Sequence, residues 1–263
     1  MKISKIFPKR YLGQNFLRNP AVVKDLIDAS EPKSSDSYLE IGPGEGAVTK
    51  ILAPKVKKVI AVELDHEMVQ SLQKSFTSID NITIVRDDAL RFLTKRSTLD
   101  ANHFNKIIGS IPYQITSPLL HALVDLSLSI KLDNIVLLIQ KEVAQKICAQ
   151  PPRASYLSNL VQTYFSVEYV TTVSKESFYP IPKVDGAVVK LEPGGLDKKI
   201  LVVEPKEWST FLHQGFKHPR KMIKRVFDEK ILKESGIKVE QRPSSLKLAD
   251  WITIYEKQKV LGL

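Results

Sequence analysis

Between residues 37 and 191 the chain alternates short, nearly unbroken runs of Val, Ile and Leu with segments whose apolar residues recur at helical spacing. No other feature constrains the fold as much. Strands joined through helices lie parallel, and a parallel sheet covered on both faces needs strands that are apolar on both sides. The pattern predicts strands at residues 37–41 (SYLEI), 58–64 (KVIAVEL), 82–85 (ITIV), 105–110 (NKIIGS) and 134–140 (NIVLLIQ), with later ones near 167–173 and 184–191. Between the second and third, Met68, Val69, Leu72 and Phe76 form one helical stripe. The expected class is α/β, a mostly parallel, doubly wound, Rossmann-like sheet.

The pattern changes after LEPGGLDKK at 191–199, where Pro193, Gly194 and Gly195 end the last strand. PKEWSTFLHQGF, PRKMIKRVFDEKIL and SSLKLADWITIYEKQKV read as short helices, the last with Ser244 or Ser245 as N-cap. The expected domains are 1–192, with a basic N-terminal segment, and a small all-helical one at 193–263.

Charge narrows the partners. Lys and Arg number 39 against 29 Asp and Glu, a net charge of +10, which favours a polyanion. Residues 1–24 carry Lys2, Lys5, Lys9, Arg10, Arg18 and Lys24 with no acid, and KHPRKMIKR at 217–225 also has none. On an α-helix Arg220, Lys221, Lys224 and Arg225 would share one arc and Met222, Ile223, Val226 and Phe227 the opposing one. Such a helix would pack on one face and meet phosphate on the other. The single cysteine, Cys148, allows no internal disulfide, and no His or Cys spacing suggests a metal. No apolar stretch is long enough for a secretory signal or a membrane span. A cytoplasmic, metal-free monomer is expected.

YLEIGPGEGAVTK runs from strand to glycine turn to helix. Gly42, Gly44 and Gly46 let the backbone turn tightly and approach a ligand. Glu63 ends the next strand, 21 residues beyond Gly42, where a carboxylate can accept both hydroxyls of a ribose. The spacing leaves three readings open: a nicotinamide dinucleotide, S-adenosylmethionine, or a purely structural turn. Glu40, directly before the turn, would repel a pyrophosphate but anchor a cationic amino-acid group. Asp88 can accept from an adenine amine. Both favour S-adenosylmethionine.

GQNFL (13–17), EIGPGEG (40–46), VELD (62–65), DDAL (87–90), SIPY (110–113), IQKEVAQKI (139–147) and FYPIPKVDGAVV (178–189) together resemble the ribosomal RNA adenine dimethyltransferases, over nearly the whole chain to RPSSLKLADW at 242–251. The resemblance implies S-adenosylmethionine-dependent N6,N6-dimethylation of two adjacent adenosines near the 3′ end of small-subunit ribosomal RNA. It implies that Asn15 and Leu17 close over the cofactor, while Gly42 and Gly44 with Glu40 hold its methionine end, Glu63 its ribose and Asp88 its adenine. Ser110, beside the cofactor, and the Ile111 carbonyl would accept the two amine hydrogens, Pro112 would stiffen the turn, and Tyr113 and Phe178 would flank the flipped base. His66, His103, His121, His213 and His218 receive no catalytic role, because amine methylation needs no strong base. The turn departs from the family at its first position, usually asparagine and here Ser110, which keeps an acceptor oxygen but is shorter and also donates. The alternatives are a large-subunit methyltransferase of the macrolide-resistance type, a non-catalytic ribosome-assembly factor on this fold, and a dehydrogenase.

Overall fold

The computed structural model describes residues 7–95, 99, 102–194 and 204–260. They fall into two compact units, one comprising residues up to Ala144 together with Glu168–Pro193, the other Gln145–Val167 together with the residues from Gly194 onward. One boundary is expected at 192/193; the chain passes between the units at 144/145, 167/168 and 193/194, so that 145–167 belongs with the helical unit.

The strands are β1 (Phe16–Leu17), β2 (Ser37–Ile41), β3 (Lys58–Glu63), β4 (Ile82–Arg86), β5 (Lys106–Ser110), β6 (Asn134–Gln140), β7 (Phe165–Val173), β8 (Phe178–Tyr179) and β9 (Gly186–Pro193). Seven of them form one sheet in the order β4-β3-β2-β5-β6-β9-β7. The pairs from β4 through β6 are parallel, and β9 runs antiparallel to β6. Helices α1 (Pro20–Ala29), α2 (Ala47–Leu52), α3 (His66–Ser75), α4 (Ala89–Thr94), α5 (Thr116–Ser127) and α6 (Lys141–Cys148) join these strands. Tyr38, Leu39, Ile60, Ile107, Ile108 and Ile135 are fully buried, as strands covered on both faces require.

The chain leaves β2 on one side toward β3 and returns on the other to β5, so the carboxyl ends of β2 and β5 form the switch point where ligands of such sheets bind. Gly109 allows that arrangement: a Cβ there would lie 2.5 Å from the Ile41 carbonyl oxygen. At the opposite edge the buried Lys106 ammonium meets Asp36 at 2.9 Å and the carbonyl oxygens of Ser30 and Glu31 at 2.9 and 2.7 Å, past the C-terminus of α1. A cation there offsets the helix dipole.

The helical unit holds α7 (Tyr156–Tyr164), α8 (Pro205–Gly215), α9 (Glu229–Glu234) and α10 (Leu248–Val260). Its core is aromatic: Trp251 packs against Phe211, Phe216 and Phe227, and Trp208 against Phe211 and Tyr255, with ring centroids 5.0–6.3 Å apart. Two expectations are corrected in this unit. PRKMIKRVFDEKIL is not one helix: residues up to Met222 form turns, Ile223–Arg225 a single 3-10 turn, and α9 starts only after Asp228, whose carboxylate accepts from Lys230 N–H at 2.7 Å. The Ile223 and Lys224 amides donate instead to the carbonyls of Gln241 and Val239, so a distant segment takes the bonds that a helix would use. Ser244 and Ser245 lie in a 3-10 turn before α10 and do not cap it. No helix among the described residues is long and apolar enough to cross a membrane.

Candidate active site at the carboxyl edge of the sheet

After β2 the backbone enters the left-handed region at Gly42, Gly44 and Gly46, with φ of 66°, 55° and 82°, a conformation that side-chain-bearing residues rarely adopt. A Cβ on Gly44 would also press to 3.0 Å from the Phe16 ring. The loop is tied to the next strand, where Glu63 Oε2 accepts from the Gly44 amide at 3.2 Å and Oε1 from the Asp65 amide at 2.9 Å. Glu63 is buried, and that burial pushes its carboxyl above the usual range.

Asp65, which the sequence reading missed, fastens the GQNFL segment. Its Oδ1 meets Lys9 Nζ at 2.7 Å and its Oδ2 accepts from Gln14 Nε2 at 2.7 Å, while Oδ1 also caps α3 through the Glu67 amide. β1 then pairs antiparallel with β8, Phe16 opposite Tyr179 and Leu17 opposite Phe178. The early loop and the FYPIP stretch are thus drawn to the same place.

The resulting cavity is lined by Asn15, Gly42, Gly44, Glu63, Asp88, Ser110, Ile111, Pro112, Tyr113 and Phe178, and Asp87 joins them unforeseen. Glu40 and Leu17 do not line it. They border an adjoining smaller cavity with Asn15, Gly42, Gly44 and Ser110. Glu40 is 2% exposed and accepts from Thr49 Oγ1 at 2.6 Å, and burial pushes its pKa up to about 7. Asp88 spends one oxygen capping α4, accepting from the Leu90 and Arg91 amides at 2.8 and 3.1 Å.

Ser110 ends β5, and the Ile111 amide donates to the Leu138 carbonyl at 2.9 Å. Pro112 leads into a 3-10 turn at Tyr113–Ile115. The half-buried Tyr113 donates to the Val184 carbonyl at 3.3 Å, and burial raises its phenol pKa. Phe178 belongs to the core as well as to the cavity wall, being 5% exposed. Of the basic residues in the other unit, Arg220, Lys221 and Arg225 are exposed, while Lys224 is half-buried and 4.0 Å from Glu240. No cluster of three or more His, Cys, Asp or Glu suited to a metal occurs among the described residues.

Residues 7–259 match the family described as "Ribosomal RNA adenine dimethylase". The chain is 37% identical to the "Ribosomal RNA small subunit methyltransferase A" of Crocosphaera subtropica over 94% of its own length and 97% of that protein. It is 34% identical to the protein of that name from Sulfurihydrogenibium sp., covering 96% and 97%. Among solved structures, a dimethyladenosine transferase from Plasmodium falciparum superposes with a TM-score of 0.79 at 26% identity, covering 94% of this chain and 98% of that one. The 23S rRNA methyltransferase ErmE superposes with 0.70 at 26% identity, covering 93% and 100%.

Proposed function

The chain belongs to the ribosomal RNA adenine dimethylase family, and from that premise we propose that it dimethylates N6 of two adjacent adenosines near the 3′ end of small-subunit ribosomal RNA, a late step in ribosome assembly. It is an S-adenosylmethionine-dependent ribosomal RNA adenine dimethyltransferase. The carrying observation is that four strand ends with the turns that follow them, holding Gly42 and Gly44, Glu63, Asp88, and Ser110 to Tyr113, meet in one cavity at the switch point of the sheet. Gly42 and Gly44, both left-handed, line that cavity without a Cβ, and the buried Glu63 carboxylate keeps lone pairs beyond the two amides it accepts from. That donor and acceptor set fits S-adenosylmethionine.

When bound, S-adenosylmethionine supplies an electrophilic methyl group on a sulfonium. Glu63 would accept from its ribose and the second Asp88 oxygen from its adenine amine, Gly42 and Gly44 with Glu40 behind them would hold its methionine end, and Asn15 and Leu17 would close the site. The Ser110 hydroxyl oxygen and the Ile111 carbonyl take the two hydrogens of the target amine. Both acceptors stand on the rigid end of β5, so the nitrogen lone pair is held in one direction, and such orientation is the main contribution to the rate. Tyr113 and Phe178 hold the flipped ring between them. The nitrogen becomes acidic once methylated and loses its proton without a strong base.

Small-subunit specificity draws support from the curated relatives that carry that name at 34 and 37% identity. Exposed Arg220, Lys221 and Arg225, with Lys224 beside them, are the proposed phosphate contacts. A cytoplasmic monomer that meets the small subunit, without membrane or metal, completes the reading. The test is methyl transfer from labelled S-adenosylmethionine to unmodified small and large subunits. Label in small-subunit dimethyladenosine alone is the expected result; label in the large subunit points to the ErmE-like activity, and no label to an assembly factor.

A further inference from the structure

Two consecutive aromatics of β8 lie in different surroundings. Phe178 is 5% exposed and lines the cavity, whereas Tyr179 is 47% exposed. Tyr179 stands opposite Phe16 in the β1–β8 pair, and directly paired residues share a face. The Arg18 guanidinium lies 4.5 Å from the centre of the Tyr179 ring. Arg18 is held in turn by Glu45, at 2.9 Å, inside the glycine turn. The ring is therefore fixed to the cofactor loop yet open to solvent.

The segment that follows has the same character. Ile181 and Val184 are 62% and 44% exposed, while Pro182 between them is buried. Asp185 pins the segment: its Oδ1 accepts from the Lys175 amide at 3.2 Å and its carbonyl from the Lys141 amide at 3.0 Å. The Val184 carbonyl accepts from Tyr113, itself a cavity residue. Three large apolar side chains within six residues thus stay in solvent on a fastened segment that begins and ends at the cavity. Exposed apolar groups grouped in this way mark a contact surface.

We propose that Tyr179, backed by Arg18, is a stacking platform for the RNA base adjoining the adenosine in the cavity, with Ile181 and Val184 as its apolar shoulder. This rests on the RNA-methylating reading above. The occupant follows from continuity: an RNA strand with one base drawn into the cavity must leave its neighbour unstacked at the rim. An open aromatic ring replaces the lost stack whatever the base, and an arginine on the ring adds attraction for the backbone and for the π-faces. Tyr179 acts as a positioning residue.

The experiment measures kcat and KM for unmodified small subunits with wild type, Tyr179→Ala, Tyr179→Phe and Arg18→Ala, alongside S-adenosylmethionine affinity and thermal stability. Tyr179→Ala should lower kcat/KM about 5- to 150-fold, the range of one lost base–aromatic stack, mainly through KM and with cofactor affinity unchanged. Tyr179→Phe should retain wild-type values, and Arg18→Ala should lose less than Tyr179→Ala. Tyr179→Ala within twofold of wild type, or an equal loss in Tyr179→Phe, would overturn the platform. In a second measurement p-benzoylphenylalanine at residue 181 should cross-link to RNA beside the methylated adenosines; a cross-link to a ribosomal protein would overturn it in favour of a protein contact. Wild type inactive on small subunits would instead sink the parent reading, and the same variants would then be compared on whichever ribosomal RNA accepts methyl groups.

Discussion

The two units bury different materials. The sheet unit is filled by Leu39, Ile60, Ile107, Ile108 and their neighbours, aliphatic side chains that suit a pleated surface covered from both sides. The helical unit is filled by Trp208, Phe211, Trp251 and Tyr255. Short helices offer few interdigitating positions, and rings supply 150–250 Å² of contact surface each, about as much as the spacing between such helices demands. The two units are therefore sensitive in different places. In the first, the reacting groups stand at the carboxyl ends of the strands and in the turns that follow, beyond the aliphatic middle of the sheet, with Phe178 shared between core and cavity. In the second, packing rests on a few rings, and a small change near one of them reaches the whole unit.

The largest expected effect tests the first half of that contrast. Ser110→Ala should slow methyl transfer by about 2–4 kcal/mol in barrier, the cost of removing one preorganised polar contact at a reacting centre. Melting temperature should stay unchanged and cofactor affinity within about threefold. Single-turnover methylation of small subunits measures it, and equal rates for the two proteins would remove Ser110 from the chemistry. Next, Glu63→Ala should weaken S-adenosylmethionine binding by about 1.5–3 kcal/mol, as expected for a lost hydrogen bond to a charged group. Titration calorimetry reads it directly.

Gly215→Ala tests the second half. A Cβ there would lie 2.3 Å from the Trp251 ring, and overpacking of this kind costs about 1–3 kcal/mol. Chemical denaturation followed by tryptophan fluorescence should show the loss, with cofactor affinity untouched. A parallel loss of cofactor binding would break the separation between the units.

The smallest effect concerns pH. Burial raises the Glu40 pKa to about 7, above its unfolded value, so the neutral form suits the fold, and the associated stability is present at low pH and lost as pH rises through about 7. A cationic amine placed near Glu40 favours the ionised form. S-adenosylmethionine affinity should therefore rise about tenfold between pH 6 and 8 through this group, with a proton released on binding. Glu40→Gln should flatten that dependence, and calorimetry in buffers of different ionisation enthalpy checks the proton.

The central strands are legible in the sequence. The runs read at 37–41 and 134–140 are β2 and β6 to the residue, because a strand buried on both faces writes its environment into consecutive residues. Glu63 and Asp88 were legible for a related reason, since each stands at or just beyond a strand end and a parallel sheet gathers those ends on one edge. The remaining features depend on partners far away in the chain. Gly109 reads as an ordinary strand residue until β2 lies beside it. Asp65 gains its role from Lys9 and Gln14, and β1 and β8, two residues each, carry no period at all. Residues 219–232 have a helical pattern, yet Ile223 and Lys224 give their amides to Gln241 and Val239. Local periodicity ranks what a segment prefers alone, and only the folded chain supplies the competing hydrogen-bond partners and the close approaches that overrule it.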